Sequence, residues 1–225
     1  NLDLQKTFER IISNVNFLKL KNIIKNNSYH DHENVYDHLV KTYDIAKEKV
    51  DGNMINDPEA KKLYLDYINL EIDGVKKGDL MLIFALIHDI GKMVVFDKNG
   101  RKESILLTNE AGITQVPYHE YFGSLIVKDV LSETELSEEV IKYLSKCVRL
   151  HGLFNGTWIN NKDLDANELL GILKKAGENI HVEQIFNGMC DCFTATPFQE
   201  AIPKIERLFN NPETYKLIGF SITEG

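Results

Sequence analysis

Proline and cysteine are scarce in this 225-residue chain, tryptophan occurs once, and no long apolar run exists. With 5 Pro and 14 Gly beside 43% hydrophobic and 27% charged residues, collagen, disorder and mucin-like stalks are excluded, and the composition is that of a soluble globular chain. The longest fully apolar stretch, Leu80 to Ile87, is far shorter than the roughly 20 residues a membrane-spanning helix needs. Asn1 to Leu20 interleaves Asp3, Lys6, Glu9, Arg10 and Lys19 with its apolar residues and offers no continuous h-region of a secretory signal. A cytoplasmic protein is the expectation. Three cysteines, Cys147, Cys190 and Cys192, cannot all pair within one chain, and Cys190-x-Cys192 is too close for zinc-ribbon spacing, so small buried thiols are expected. Net positive charge is also lacking. The formal charge of −8 disfavours long-range attraction to nucleic-acid backbone or anionic lipid, so an anionic substrate would need local positive charge from side chains or a metal.

What is present is helical pattern. Asn34 opens a helix marked by Val35, Leu39, Ala46 and Val50, and Asp57-Pro58 reads as an N-cap with proline in the first turn before Leu63, Tyr64, Tyr67 and Ile68. Asp79 precedes Leu80 to Ile87, apolar all round, a buried central helix that Gly91 stops. Pro117 opens a helix carrying Phe122, Ile126 and Val130, and another begins at Ser137 with Glu138 and Glu139 in its first turn. Asp165 caps Leu169, Leu170, Leu173 and Ala176; His181 to Ala195 carries Val182, Ile185, Phe186, Met189 and Phe193. The exception is Met93 to Leu107, where β-prone runs flank Asp97-Lys98-Asn99-Gly100 and signal one short hairpin. With no repeat, linker or composition shift, residues 1–225 are expected to form a single helical domain with its core over 34–195.

The seven histidines divide by context. His30 and His32 lie in a polar stretch and His181 at a helix start, so surface positions are expected for these three. His119 shares a helical face with Phe122, Gly123, Ile126 and Val130, and His151 ends the stripe Val140, Leu144, Cys147, Val148. The short loop between their helices implies antiparallel packing, which makes His119 and His151 neighbours. A hydrogen-bonded core histidine is the alternative for each taken alone. Asp89 of the His88-Asp89 pair sits at the negative end of the apolar helix, where a carboxylate requires a cation close by, either Lys92 or a metal ion. Imidazole with carboxylate suits Fe, Mn, Zn or similar divalent metals. His38 flanks a buried face one turn after Val35. Asp191 lies among Met189, Cys190, Cys192 and Phe193 but off the main apolar stripe, and spacing leaves its role open.

The ordered set His38, His88-Asp89, His119, His151, Asp191 resembles the HD-domain metal-dependent phosphohydrolase superfamily, whose pattern is H…HD…D on an all-helical bundle. Asn34-Val-Tyr-Asp-His38-Leu, Leu86-Ile-His88-Asp89-Ile-Gly91-Lys92, the hairpin with Asp97-Lys-Asn-Gly100, and Tyr118-His119-Glu120 before Gly123 are most similar to the HD domain attached to bacterial tRNA nucleotidyltransferases and its stand-alone relatives. The likeness runs from Asn34 to Ala195. It implies an all-α, single HD-type bundle with one short β-hairpin near Met93–Leu107. It implies His38, His88, Asp89 and Asp191 as ligands of a first metal, His119 and His151 as ligands of a second metal or contacts to substrate phosphate, and Lys92 as a phosphate contact. Asp89, Lys92, His119 and His151 would then form the catalytic set. The implied cofactor is one or two divalent transition-metal ions, Fe, Mn, Ni, Co or Zn, with Mg as a further candidate.

The activity this implies is hydrolysis of phosphomonoesters or phosphodiesters in nucleotides or similar small molecules, without a membrane or an extended nucleic-acid partner. Nucleoside triphosphate hydrolysis, di-iron oxygenation on the same scaffold, and a non-catalytic metal-binding sensor module are the alternatives. The Glu-Asp pair that accompanies His-Asp in guanosine-tetraphosphate hydrolases does not follow Asp89, which argues against that activity.

Overall fold

Capping side chains and apolar periodicity set the helix boundaries in the computed structural model, which describes residues 1–27, 30–93, 107–108, 114–115, 118–158, 165–175 and 178–217. In chain order these form α1 (Leu4–Ile12), α2 (Val15–Leu18), β1 (Ile24–Asn27), β2 (His30–Asn34), α3 (Val35–Lys49), α4 (Pro58–Ile68), β3 (Glu71–Ile72), β4 (Val75–Lys76) and α5 (Lys77–Ile87). They continue with β5 (Leu107–Thr108), β6 (Thr114–Gln115), α6 (His119–Val130), α7 (Glu138–Trp158), α8 (Ala166–Lys175), α9 (His181–Phe193) and α10 (Ile202–Phe209). The Asn34 side chain accepts from Asp37 N at 2.7 Å, Asp57 from Ala60 N at 2.8 Å ahead of Pro58, and Asp165 from Glu168 N at 3.0 Å. Each satisfies an amide that the helix itself cannot, typically worth about 1 kcal/mol.

The architecture is all-α with short antiparallel strand pairs at its edges. Three such pairs exist among the described residues, β1 with β2, β3 with β4 and β5 with β6, where the sequence pattern gave one. The expected turn at Asp97–Gly100 lies outside the described residues, and β5 begins only at Leu107, paired with Gln115. The β3–β4 turn is an Asp73-Gly74 dipeptide with φ of 46° and 78°, the left-handed pair that a two-residue hairpin requires. Its strands are two residues each, too short to show alternation. Apart from Ile24, strands β1 and β2 are built from polar residues, which is why periodicity missed them.

One apolar cluster extends from Ile11 to Tyr215, with α5 and α9 at its centre. Every residue from Leu80 to Ile87 is buried, as is every residue from His181 to Cys190. Each large side chain so buried contributes about 2 kcal/mol. The remaining long helices surround these two, α3 and α7 touching both. All three cysteines are buried and free. No helix among the described residues is long and apolar enough to cross a membrane.

Two expectations need correction here. His181 is not at the surface: it is 2% exposed, and its Nε2 lies 2.7 Å from the Thr214 carbonyl oxygen. The reason is that the 3-10 turn Pro212–Tyr215 covers the start of α9, a contact invisible to local periodicity. His32 is exposed, as expected. Nor is Gly91 a left-handed helix stop, because the chain continues from His88-Asp89 into a 3-10 turn, Ile90–Met93. Gly91 is small for another reason: a Cβ there would overlap the His119 carbonyl and the Gly123 amide nitrogen. That backbone-to-backbone contact seats the start of α6 directly over Asp89.

Candidate metal centre

Five elements deliver the site. His88 closes α5 as its C-terminal cap and Asp89 follows; they are 1% and 4% exposed. The capped start of α3 puts His38 in its second turn, completely buried against α5 and α9. His119 is the first residue of α6, His151 lies on α7, and Asp191 stands in the last turn of α9. The C-terminal ends of α5 and α9 thus meet, and both carry carboxylates. Helix ends of negative partial charge and two acidic groups gathered in one interior place call for a cation.

Asp89 is the hinge of the arrangement. Its Oδ1 is 3.2 Å from His119 Nε2 and 3.4 Å from His151 Nε2, and those two nitrogens are 3.2 Å apart. Its Oδ2 is 3.5 Å from His88 Nε2 and 3.7 Å from His38 Nε2. Asp191 Oδ1 completes the second side at 2.8 Å from His38 Nε2 and 3.5 Å from His88 Nε2. Two groups of donor atoms result, His38–His88–Asp89 and Asp89–His119–His151, each within 4.8 Å of one another and able to hold a metal ion. One carboxylate shared between two ligand sets is the layout of a two-metal site.

Proton positions agree with ligation. His88 Nδ1 donates to the Ala85 carbonyl at 2.8 Å and His151 Nδ1 to the Val148 carbonyl at 2.5 Å. A carbonyl only accepts, so in the neutral rings Nε2 of each presents its lone pair to the centre. His88 Nε2 and Asp191 Oδ1 are buried without an aligned hydrogen-bond partner. A lone pair facing two carboxylate oxygens is repulsive unless a proton or a metal ion lies between them. The residues therefore fit a divalent metal by donor type, by tautomer and by these two buried atoms. Burial opposes a charge on His88, but Asp89 and Asp191 outweigh it and raise its pKa. Asp191 is likewise opposed by burial, yet His38 and His88 hold its carboxyl well below the usual range. His119 goes the other way: burial, helped by the Lys92 charge, lowers its pKa despite Asp89.

All the candidate residues of the sequence reading meet at this place. Lys92 joins them through its Nζ, which donates to Asp89 Oδ2 at 2.8 Å. Its side chain is 17% exposed, which excludes a merely solvated helix-end charge. Asp191 was ambiguous because the stripe rule assumes one dry face. Helix α9 is buried nearly all round, so the off-stripe Asp191, still 21% exposed, meets His38 of α3. Two flanking carboxylates were not foreseen. Glu33, on β2, places Oε2 3.5 Å from His38 Nδ1, the position of a group that orients a ligating imidazole. Glu120 places Oε1 3.6 Å from His119 Nε2 and rests against Gly152, where a Cβ would come within 2.5 Å of that oxygen. Neither signal was readable locally, since β2 has no periodicity and Glu120 is an ordinary first-turn acid.

No protein-family model matches the chain, and no curated protein matches it significantly.

Proposed function

We propose that this chain is a metal-dependent phosphohydrolase of the HD type, acting on nucleotides or similar small phosphoesters. The observation that carries the reading is Asp89, buried and shared between two imidazole pairs, with Asp191 and Lys92 on one flank. In the ligand roles, His38, His88, Asp89 and Asp191 would hold one ion and Asp89, His119 and His151 a second. A bound divalent ion supplies Lewis acidity toward a phosphoryl oxygen and toward water.

The chain's own groups do the rest. Lys92 offers a positive charge beside Asp89 Oδ2, positioned to stabilise charge that accumulates on phosphoryl oxygens. His119, 19% exposed where His151 is 2%, is the imidazole nearer solvent and the one a substrate would meet first. Its lowered pKa keeps it neutral near pH 7, able to accept a proton or to ligate. The buried surroundings of His38 and His88 exclude bulk water and strengthen each of these electrostatic contacts. A negatively charged chain thereby acquires a local site for an anion.

The test is metal analysis of protein purified without chelator, followed by a panel of phosphomonoesters, phosphodiesters and nucleoside triphosphates with product analysis. Bound divalent metal and chelator-sensitive release of phosphate or a phosphomonoester are expected. Metal without turnover would make the chain a binding or sensor module; release of triphosphate or of an oxidised organic product would assign it to another chemistry. Absence of any bound or bindable metal would leave Asp89 to Lys92 and to protonated imidazole and end the hydrolase reading.

A further inference from the structure

A second buried polar cluster lies at the opposite end of the same helices, and the chemistry just proposed does not use it. Glu183 on α9 is completely buried. Its Oε2 accepts from Tyr143 Oη at 2.6 Å and from Lys77 Nζ at 3.2 Å, and its Oε1 accepts from the Tyr67 hydroxyl. Lys77 Nζ also donates to Tyr67 Oη at 2.9 Å and lies over the Tyr67 and Tyr143 rings, 4.4 and 5.6 Å from their centroids. Lys77 is itself 7% exposed. Burial and the adjacent Glu183 push both phenols well above their ordinary pKa, so they remain donors.

The placement along the chain is systematic. Lys77 begins α5, whose far end carries His88-Asp89. Tyr143 precedes His151 on α7 by the same number of residues as Glu183 precedes Asp191 on α9, a rise of about 12 Å in each helix. The three helices therefore run in one direction, joined at their early turns by Glu183 and at their late turns by the donor cluster. Helix α5 is apolar on every face from Leu80 to Ile87, and apolar packing is non-directional, so contacts along that stretch set its depth better than its axial register. A buried ion pair is a poor source of stability, and its best-attested use is fixing register.

We propose that Lys77, Tyr67, Tyr143 and Glu183 form a register clamp that sets the axial positions of α5, α7 and α9 and so the spacing of His88, Asp89, His151 and Asp191. They are positioning residues and touch no substrate. The inference rests on the metal-site reading for its effect on binding, but the clamp itself has a readout that needs no metal. Asp191 on α9 contacts His38 and His88 on α3 and α5, so the imidazole nitrogen resonances of the metal-free chain report the helix register directly.

The experiment replaces the whole cluster at constant volume: Lys77→Met, Glu183→Met, Tyr67→Phe and Tyr143→Phe together in the full chain. Two measurements follow, Mn²⁺ titration by calorimetry and the imidazole nitrogen NMR spectrum of the metal-free protein. Expected are a cooperative, helical fold melting near or above the wild type, Mn²⁺ affinity lower by about tenfold or more, and shifted or doubled His38 and His88 signals. Wild-type affinity together with an unchanged imidazole spectrum overturns the proposal. If the wild type binds no Mn²⁺ while the variant's imidazole signals still move, the metal reading fails and the clamp stands. Should the fourfold variant not fold, Tyr143→Phe alone removes one bond on the α7 side, and unchanged His151 signals in that variant overturn the clamp as well.

Discussion

Two buried carboxylate clusters sit at opposite ends of α5, α7 and α9, and they are built on opposite terms. Around Glu183 the donors are supplied by the chain: two phenols and an ammonium meet the two carboxylate oxygens. Around Asp89 and Asp191 the neighbours are mainly imidazoles whose Nε2 atoms point inward, and His88 Nε2 and Asp191 Oδ1 lack aligned partners. Both clusters carry a desolvation cost. The first is satisfied by the chain itself, and the second is completed only by a proton or a metal. Burial of acid alone therefore does not mark a functional site; imidazole nitrogens converging on buried acid do.

The same substitution should break the two clusters in opposite ways, and this is the largest effect to expect. Asp89→Ala should abolish metal-dependent hydrolysis of every phosphoester tested and strip bound metal, while circular dichroism stays helical. Glu183→Ala should instead cost about 3 to 5 kcal/mol in urea unfolding, because Lys77 loses its carboxylate partner in the interior. Wild-type turnover and metal content in Asp89→Ala would remove the contrast altogether. Next in size is the double variant His119→Ala/His151→Ala, which should lower bound metal from about two ions per chain toward about one, the second ion losing its ligands while Asp89 stays with the first. Unchanged stoichiometry with a raised KM would make the pair phosphate contacts, and unchanged metal and kinetics would make them core filler.

Lys92 tests whether the two clusters differ as sharply as this. Like Lys77 it bonds a buried carboxylate, at 2.8 Å, but it sits at the rim of its cluster and not within it. Lys92→Met keeps most of the side-chain length and removes the charge. Metal content should persist and kcat/KM fall by roughly tenfold or more, the scale of a lost charge-assisted contact. Loss of metal together with activity would show that Lys92 holds Asp89 in place, as Lys77 holds Glu183.

Legibility in the sequence also differs between the two ends. The helices were readable because caps such as Asn34, Asp57 and Asp165 and apolar spacing are local properties. His88-Asp89 was readable because a carboxylate closing an all-apolar helix is an anomaly within a few residues. His119 and His151 followed from one short loop and antiparallel packing. The Glu183 cluster was not readable, since it joins residues 67, 77, 143 and 183 and none of them is unusual where it stands. The same holds for Glu33, on a polar strand, and for Gly91, whose smallness serves a contact with α6 and not the helix end. Signals that depend on which helices meet appear only once the fold is known.

The smallest expected effect sharpens the comparison through two buried histidines with opposite shifts. His88 lies among carboxylates and its pKa is raised; His181, beside Thr214 at the clamp end of α9, has its pKa lowered, chiefly by burial. In the metal-free chain the unfolded value of both is about 6.5. The proton on His88 favours the folded state, so its contribution is full below about pH 6.5 and is lost as pH rises through the higher folded value. His181 favours the folded state when neutral, so its contribution is full above about pH 6.5 and declines as pH falls toward the lower folded value. Urea midpoints taken with chelator from pH 8 to pH 5.5 should therefore pass through a maximum near pH 6.5 in the wild type, His88 setting the decline on the basic side and His181 that on the acid side. His88→Gln should leave a chain that weakens in acid, and His181→Gln one that weakens in base. Identical slopes in the two variants would show that the ends of these helices do not differ in the way their hydrogen bonding indicates.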